Sequence, residues 1–484
     1  MSLDQHEAPL FDRLKAYADS GTIPLHVPGH KMGHCIAPEM RELMGDEALR
    51  FDNTSLPQTC SLQHPSGALV EAQQLAAELY GSKEAFFVVN GTSGAIMAMI
   101  VSVLKTGDKV IVQRNVHKSV TAGIIMTGVV PIYVDPVIDE ELGIAHGVTP
   151  QAIGEALDKH PDAKAVLIVS PTYYGVVSDV KAIADLAHAH GIPLLVDEAH
   201  GAHFHFSDKL PSDALSQGAD LVSQSTHKTI GSLTQSSMLH VNGDLVDPKR
   251  VAVVLNMLQT TSPSFALLAS LDCARRYMAL NGRRLWDQTV ELYRKTRQRI
   301  NAIDGCDVFG AEHLARLGVR GFDPTRLTVC CWDLDISGHA MEQLLGERYH
   351  IQMELSDFYN VLAVGSPGDT PEGMERLVAA LQDISRQHVY RKMKIVSMPL
   401  PEIPDMVMTP RDAFFGTTRT VPFAASKGLV CAESIMSYPP GIPIICPGEI
   451  INQQIIDYVN TMKAAGLSLT GMENLTMATI KVVG

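Results

Sequence analysis

The chain has no pair of cysteines at Cys-x-x-Cys spacing. Its eight cysteines, 35, 60, 273, 306, 330, 331, 431 and 446, are scattered through 484 residues. In a long chain that dispersal reads as reduced thiols of a cytoplasmic protein, and not as a disulfide framework or a zinc site. The opening stretch, Met1 to Pro9, carries Asp4 and Glu7 and no apolar run, so it does not read as a signal peptide. No uninterrupted apolar stretch reaches membrane-spanning length; Ala95–Leu104 ends at Lys105-Thr106-Gly107-Asp108. Positive charge is in short supply. Lys and Arg number 39 against 53 Asp and Glu, a formal net charge of −14. That balance argues against nucleic acid and anionic membranes as partners and suits a cationic small substrate. Internal repeats, low-complexity tracts and the H-E-x-x-H helix pattern are also missing.

What is present is an ordinary apolar fraction, 46%, on a chain long enough for about three domains. From about residue 84 to 240, short β runs alternate with helical stretches. The β runs are Glu84–Val89, Lys109–Val112, Val130–Val134, Ala165–Ser170, Pro193–Val196, Asp220–Ser223 and Ser236–Val241. Helices are expected at Ala95–Leu104, Ser119–Thr127, Pro150–His160 and Val180–His190, with a short one near Pro211–Gln217. Apolar strands alternating with helices imply an α/β fold: a mainly parallel seven-stranded sheet covered on both faces, with its ligand beyond the carboxyl ends of the strands. Two helices, Pro263–Leu285 and Asp287–Ile303, follow. Then come β runs at Thr328–Trp332 and Asn360–Val364 and a helix near Pro371–Ile384. These read as a smaller α+β domain. The proline-rich stretch Met398–Pro404 reads as a linker to a C-terminal lobe. The expected division is 1–80 for an N-terminal segment, 81–285 for the large domain, 286–395 for the small domain and 396–484 for the lobe.

Four pieces fall where sheet strands end. Asn90-Gly91-Thr92-Ser93-Gly94 joins a strand to a helix, and its hydroxyls and amides suit an anion such as phosphate. Read blandly, it is an N-cap. Asn115-Val116-His117-Lys118-Ser119 offers His117 to stack on a planar ring. Leu194-Leu195-Val196-Asp197 ends a buried strand in a carboxylate able to hold a pyridine nitrogen protonated. Ser225-Thr226-His227-Lys228 offers a lysine able to form a Schiff base with an aldehyde, flanked by phosphate-binding groups. Histidines 200, 203 and 205 invite a metal reading, but 203 and 205 alternate as on a strand, so no metal site is assigned. Each piece alone has an ordinary structural explanation. Together, in order, they supply what pyridoxal 5′-phosphate (PLP) requires: an aldehyde-binding amine, an acid for the ring nitrogen, a stacking group and a phosphate cup.

The chain resembles the Orn/Lys/Arg decarboxylase family of fold-type-I PLP enzymes, in its short bacterial arginine decarboxylase-like form without an N-terminal wing. The resemblance is carried by Pro28-Gly29-His30-Lys31, Asn90–Ala95, Arg114–Ser119, Val196–Gly201, Ser225–Lys228, Thr260–Ser264 and Tyr438–Pro443. It implies an aspartate aminotransferase-like large domain and smaller α+β C-terminal domains. It further implies that Lys228 carries PLP, that Asp197 pairs with the ring nitrogen, and that His117 stacks on the ring. Thr92, Ser93, Ser225 and His227 would hold the phosphate, with His200 beside the cofactor. Thr261 and Ser262 would reach the phosphate region of a partner subunit in a homodimer or higher homo-oligomer with shared active sites. His30, Lys31 and Glu354 would contact an amino-acid substrate, arginine first and lysine second. One departure bears on the substrate. Where the family usually carries an acidic pair before Leu-His, this chain reads Thr59-Cys60-Ser61-Leu62-Gln63-His64. A less basic substrate, another PLP reaction (aminotransferase, aldolase or oxidase) or a silent regulatory homologue therefore stay open at the level of sequence.

Overall fold

A computed structural model describes residues 3–139, 142–314, 320–331, 333–388, 401–437, 442–464 and 469–484. The seven expected sheet strands are all present. In chain order they are β1 (Glu84–Val88), β2 (Lys109–Gln113), β3 (Val130–Val134), β4 (Ala165–Val169), β5 (Leu194–Asp197), β6 (Leu221–Gln224) and β7 (Ser237–Val241). They are hydrogen-bonded in the order β1-β7-β6-β5-β4-β2-β3. β2 runs parallel to both β3 and β4, and β5 runs parallel to β6. β7 is antiparallel to both β1 and β6, so the sheet is mixed at that edge. Every residue of β5, β6 and β7 is buried. That explains why they do not alternate apolar with polar residues, since strands covered on both faces have no solvent side; their few polar residues, among them Asp197, Gln224 and Ser237, are buried with the rest.

Two compact units divide the chain. One comprises Met1–Ser102, Leu195–Asp208 and Ser212–Trp286. The other comprises Val103–Leu194, Lys209–Pro211 and Asp287–Gly484. In the second unit, helices start where side chains supply the missing acceptors. Thr149 accepts from Ala152 N ahead of Pro150–Lys159, and Asp179 accepts from Ala182 N ahead of Val180–Ala189. Such caps satisfy amides that the first turn leaves open.

Two expected elements differ. The helices foreseen at Pro263–Leu285 and Asp287–Ile303 are a single helix, Phe265–Ile300. Trp286 at the foreseen break is fully buried, its ring 4.2 Å from that of His203, so packing carries the helix through. No helix forms near Pro211–Gln217. There the Ala214 amide donates to Glu198 Oε1 and the Ser216 amide to Asp213 Oδ1, bonds that compete with a helical ladder.

Beyond the long helix, strands Asp307–Phe309, Arg326–Cys330, Asn360–Val364 and Leu355–Ser356 form an antiparallel sheet. With helices Gly338–Tyr349 and Pro371–Gln387 it encloses its own core, including Val308, Leu327, Val329, Met341, Leu345 and Leu381. Trp332, foreseen at the end of one strand, lies outside the described residues, as do 398–400 of the foreseen linker. Residues 401–404 of that stretch form no helix or strand. The last part of the chain builds a separate core from Val421, Ile435, Ile445, Ile455, Val459, Ile480 and Val482 among others.

A buried ion pair fastens that lobe. Arg114, just past β2, donates to both Glu449 oxygens, at 2.6 and 2.9 Å, and to the carbonyls of Pro443 and Ile444. Both partners are almost fully shielded from water. Removing one half of such a pair leaves a charge stranded in the interior. Glu449→Gln is expected to lower unfolding stability by about 3–5 kcal/mol in urea titration. A loss below about 1 kcal/mol would show that the lobe does not rely on this pair.

Candidate functional site

The end of β5 places the Asp197 carboxylate in the interior. It is 3% exposed. Its Oδ1 accepts the Ala199 amide at 3.1 Å. Burial pushes its pKa up to about 6, partly offset by that amide and by the positive charge of Lys228. Such a group is short of countercharge. A ligand that brings a cation to it regains the cost of its burial.

The neighbouring strand, β6, delivers the amine. It ends at Gln224, Ser225 caps the turn, and the short helix Thr226–Thr229 presents Lys228. Lys228 Nζ lies 2.8 Å from His200 Nε2. His200 follows Asp197 by three residues, so one loop and one turn assemble acid, imidazole and amine. The His227 Nδ1 hydrogen goes to the Ser236 carbonyl at 2.7 Å, and burial lowers the His227 pKa. The ring is thus neutral at pH 7 and presents a lone pair at Nε2.

Beside them is a hydroxyl cluster. Thr92 Oγ1 is 2.5 Å from Ser225 Oγ and 2.8 Å from Ser237 Oγ. Thr92 stands at the start of helix Gly91–Val103. Gly91 there has φ +69°, a conformation that side chains disfavour. A Cβ on Gly94 would lie 2.8 Å from Asn90 Cβ. The motif is therefore a tight turn feeding a helix N-terminus, the arrangement that binds anions. Ser93 is exposed in the same turn.

The structure therefore brings together Thr92, Asp197, His200, Ser225, His227 and Lys228 within one compact unit. The other foreseen residues have the following local settings. His117 caps helix Lys118–Thr127, its Nδ1 2.8 Å from Ser119 Oγ. Thr261 and Ser262 are exposed in the turn between helices Pro248–Leu258 and Phe265–Ile300. His30 Nε2 lies 3.2 Å from Asp52 Oδ2, and Lys31 Nζ donates to the His26 carbonyl at 2.5 Å. Glu354 is exposed just before the strand Leu355–Ser356. Residues 438–441 of the Tyr438–Pro443 motif lie outside the described residues.

Two of the histidines that invited a metal reading have other partners. His203 packs on Trp286, and His205 Nδ1 faces Asp213 at 3.5 Å. Sequence reading missed Glu198, Gln224 and Ser237. Glu198 is wholly buried, accepting from Gln224 Nε2 at 2.8 Å and Ala214 N at 2.7 Å. The available signal was polarity inside strands otherwise apolar, because a buried polar side chain needs a partner.

The residues fit PLP. A half-buried lysine, a buried acid with a raised pKa on the next strand and hydroxyls at a helix N-terminus match the aldehyde, ring nitrogen and phosphate in turn. Comparison with known proteins decides the family. The family described as Orn/Lys/Arg decarboxylase, major domain, matches residues 8–319, and its C-terminal domain matches residues 393–478. The chain belongs to the Orn/Lys/Arg decarboxylase family. As a member it is a PLP-dependent amino-acid decarboxylase. It is 45% identical over 483 residues to the arginine decarboxylase of Bacillus subtilis, covering 99% of both chains. It is 46% identical over 481 residues to that of Halalkalibacterium halodurans, covering 99% of this chain and 98% of the relative. In fold it is similar to the constitutive lysine decarboxylase of Escherichia coli, with TM-score 0.84 and 22% identity, covering 100% of this chain and 82% of the other.

Asp197 gives a pH-dependent prediction. Its folded pKa of about 6 stands above the usual 3.8, so between those values the native chain binds the proton more tightly than the unfolded chain. Native stability due to this group therefore rises as pH falls through that window and is lowest above it. Cofactor-free Asp197→Asn is expected to melt above the cofactor-free parent at pH 7.5, with the gap closing toward pH 4. A gap that does not change with pH would assign the effect to packing instead.

Proposed function

We propose that this chain removes the α-carboxylate of arginine, with lysine as its second substrate, using PLP held on Lys228. The observation that carries the residue assignment is the Lys228–His200 contact at 2.8 Å beside the buried Asp197. The choice of arginine is supported by the arginine decarboxylases that this chain matches over almost its full length.

Bound PLP supplies a conjugated ring into which the electron pair of a broken Cα bond can spread. The protein's own residues do the rest. Asp197 holds a proton on the ring nitrogen, and ring binding in turn gives this acid the cation it lacks. His200 orients Lys228 Nζ through their hydrogen bond. Lys228 holds the cofactor and later returns a proton to Cα. His227 is less suited to that donation, because its one hydrogen is given to the Ser236 carbonyl. Thr92, Ser93 and Ser225, at the start of helix Gly91–Val103, would hold the cofactor phosphate. His227 joins it only on gaining a second proton, which a nearby dianion favours.

His117 would stack on the ring. Thr261 and Ser262, exposed in their turn, serve the phosphate end of a partner subunit's site in a homodimer. His30 and Lys31 flank the substrate, and Glu354 pairs with its cationic tail. The separate cores at Tyr293–Ile384 and Val421–Val482 support the division into a small domain and a C-terminal lobe. A cytoplasmic location agrees with the eight free thiols and with the lack, among described residues, of any helix long and apolar enough to cross a membrane.

Borohydride reduction of the PLP-loaded protein, followed by peptide mass spectrometry, is expected to find the label on Lys228. Lys228→Ala is expected to lose turnover by several orders of magnitude, since both cofactor linkage and proton carrier go. Label on another lysine would refute the assignment. For the substrate, Glu354→Gln is expected to raise KM for arginine about tenfold or more while PLP binding is unchanged. Release of an amine from a neutral amino acid, with none from arginine, lysine or ornithine, would overturn the basic-substrate reading and leave the cofactor assignment standing.

A further inference from the structure

Three buried hydroxyls at the phosphate end form a chain with one direction. Ser225 Oγ is 2.5 Å from Thr92 Oγ1, Thr92 Oγ1 is 2.8 Å from Ser237 Oγ, and Ser237 Oγ is 2.8 Å from the Gln224 carbonyl oxygen. A hydroxyl has a single hydrogen, and a carbonyl oxygen only accepts. Ser237 therefore donates to Gln224. With its hydrogen engaged, Ser237 accepts from Thr92. Thr92, in the same position, accepts from Ser225. The relay runs Ser225 to Thr92 to Ser237 to Gln224.

The far end is fixed. Gln224 pairs with Met238 across β6 and β7, and its side chain donates to the wholly buried Glu198. For Thr92 to turn its hydrogen elsewhere, it must abandon an acceptor that no water reaches. Ser225 gives up only the Thr92 hydroxyl, in a residue that is 6% exposed where Ser237 is 0%. It exchanges a neutral acceptor for a charged one, a stronger bond. We infer that Ser237 is a positioning residue that holds the Thr92 hydrogen, leaving Ser225 as the member of the relay that donates to the cofactor phosphate. This rests on the reading that the PLP phosphate lies at these hydroxyls. It also divides two residues that sequence reading gave one role: Thr92 shapes the cup and Ser225 binds.

The test titrates cofactor-free protein with PLP and with pyridoxal, which lacks the phosphate. Ser225→Ala is expected to raise the Kd for PLP about tenfold or more and to leave that for pyridoxal unchanged. Ser237→Ala releases the Thr92 hydrogen toward the phosphate. On that background Ser225→Ala is therefore expected to cost less than about threefold, because Thr92 substitutes for it. Ser237→Thr keeps the hydroxyl and restores the full Ser225→Ala loss. Thr92→Val offers a second route that does not depend on the folding of Ser237→Ala, and is expected to weaken PLP binding less than Ser225→Ala does. An equal Ser225→Ala loss in both backgrounds, or a larger loss for Thr92→Val, would overturn the relay. If the parent protein binds PLP no better than pyridoxal, the phosphate is not at these hydroxyls and the reading beneath the relay falls with it.

Discussion

A carboxylate at the end of a fully buried strand is the constraint on which the rest of the site depends. Asp197 cannot be moved into water without shortening β5, and it cannot be comfortable as an anion where it stands. The Ala199 amide and the nearby lysine offset only part of its desolvation, which is why its pKa remains raised. The fold thus holds a buried acid whose charge is only partly balanced. The parallel pairing of β5 with β6 places Ser223 opposite Asp197. Five residues beyond Ser223 comes Lys228. Acid and amine are therefore set by strand register and one turn of helix, not by mobile loops, which is how a scaffold holds reacting groups to fractions of an ångström.

The same register explains how much of the fold was legible. β4, β5 and β6 announce themselves as short β-branched or leucine runs bounded by turn residues, and all seven sheet strands fall where that pattern places them. The antiparallel placement of β7 did not follow from it. Nothing within Ser237–Val241 distinguishes a parallel from an antiparallel neighbour; direction is fixed by how the chain returns. The single long helix through Trp286 was missed for a similar reason. Packing of that indole against His203 is a tertiary fact, and local pattern around Leu285–Asp287 does not contain it.

Of the residues the sequence singled out for their type at a strand end, Asp197, Lys228, Thr92 and Ser225 are ones that the structure brings into one cluster. Those that act by completing another group's hydrogen bonds were not singled out. Ser237 sits in a run of buried residues and reads as strand, and Glu198 reads as part of the turn after Asp197. Their roles appear only when each buried donor is matched to its acceptor. That matching also alters roles already assigned. His227 follows the phosphate-site pattern, yet its hydrogen is given to a carbonyl, so its part in binding an anion depends on a second proton.

The segment Thr59–His64 separates charge from shape in the same way. Cys60 and Leu62 are buried, and burial pushes the Cys60 thiol up to about 12, so it carries no charge at neutral pH. The Gln63 side chain donates to the Thr260 carbonyl, and the Gln63 carbonyl accepts from Asn256 Nδ2. The segment is thereby tied to the end of helix Pro248–Leu258, immediately before the exposed Thr261 and Ser262. These ties use a backbone carbonyl and an amide, neither of which depends on an acid at 59–61. Neutral residues there leave the segment's attachment intact while removing negative charge from it. Countercharge for a guanidinium or ammonium tail must then come from a carboxylate elsewhere, and an exposed acid such as Glu354, which pays no desolvation until a substrate arrives, is the kind of group that can supply it.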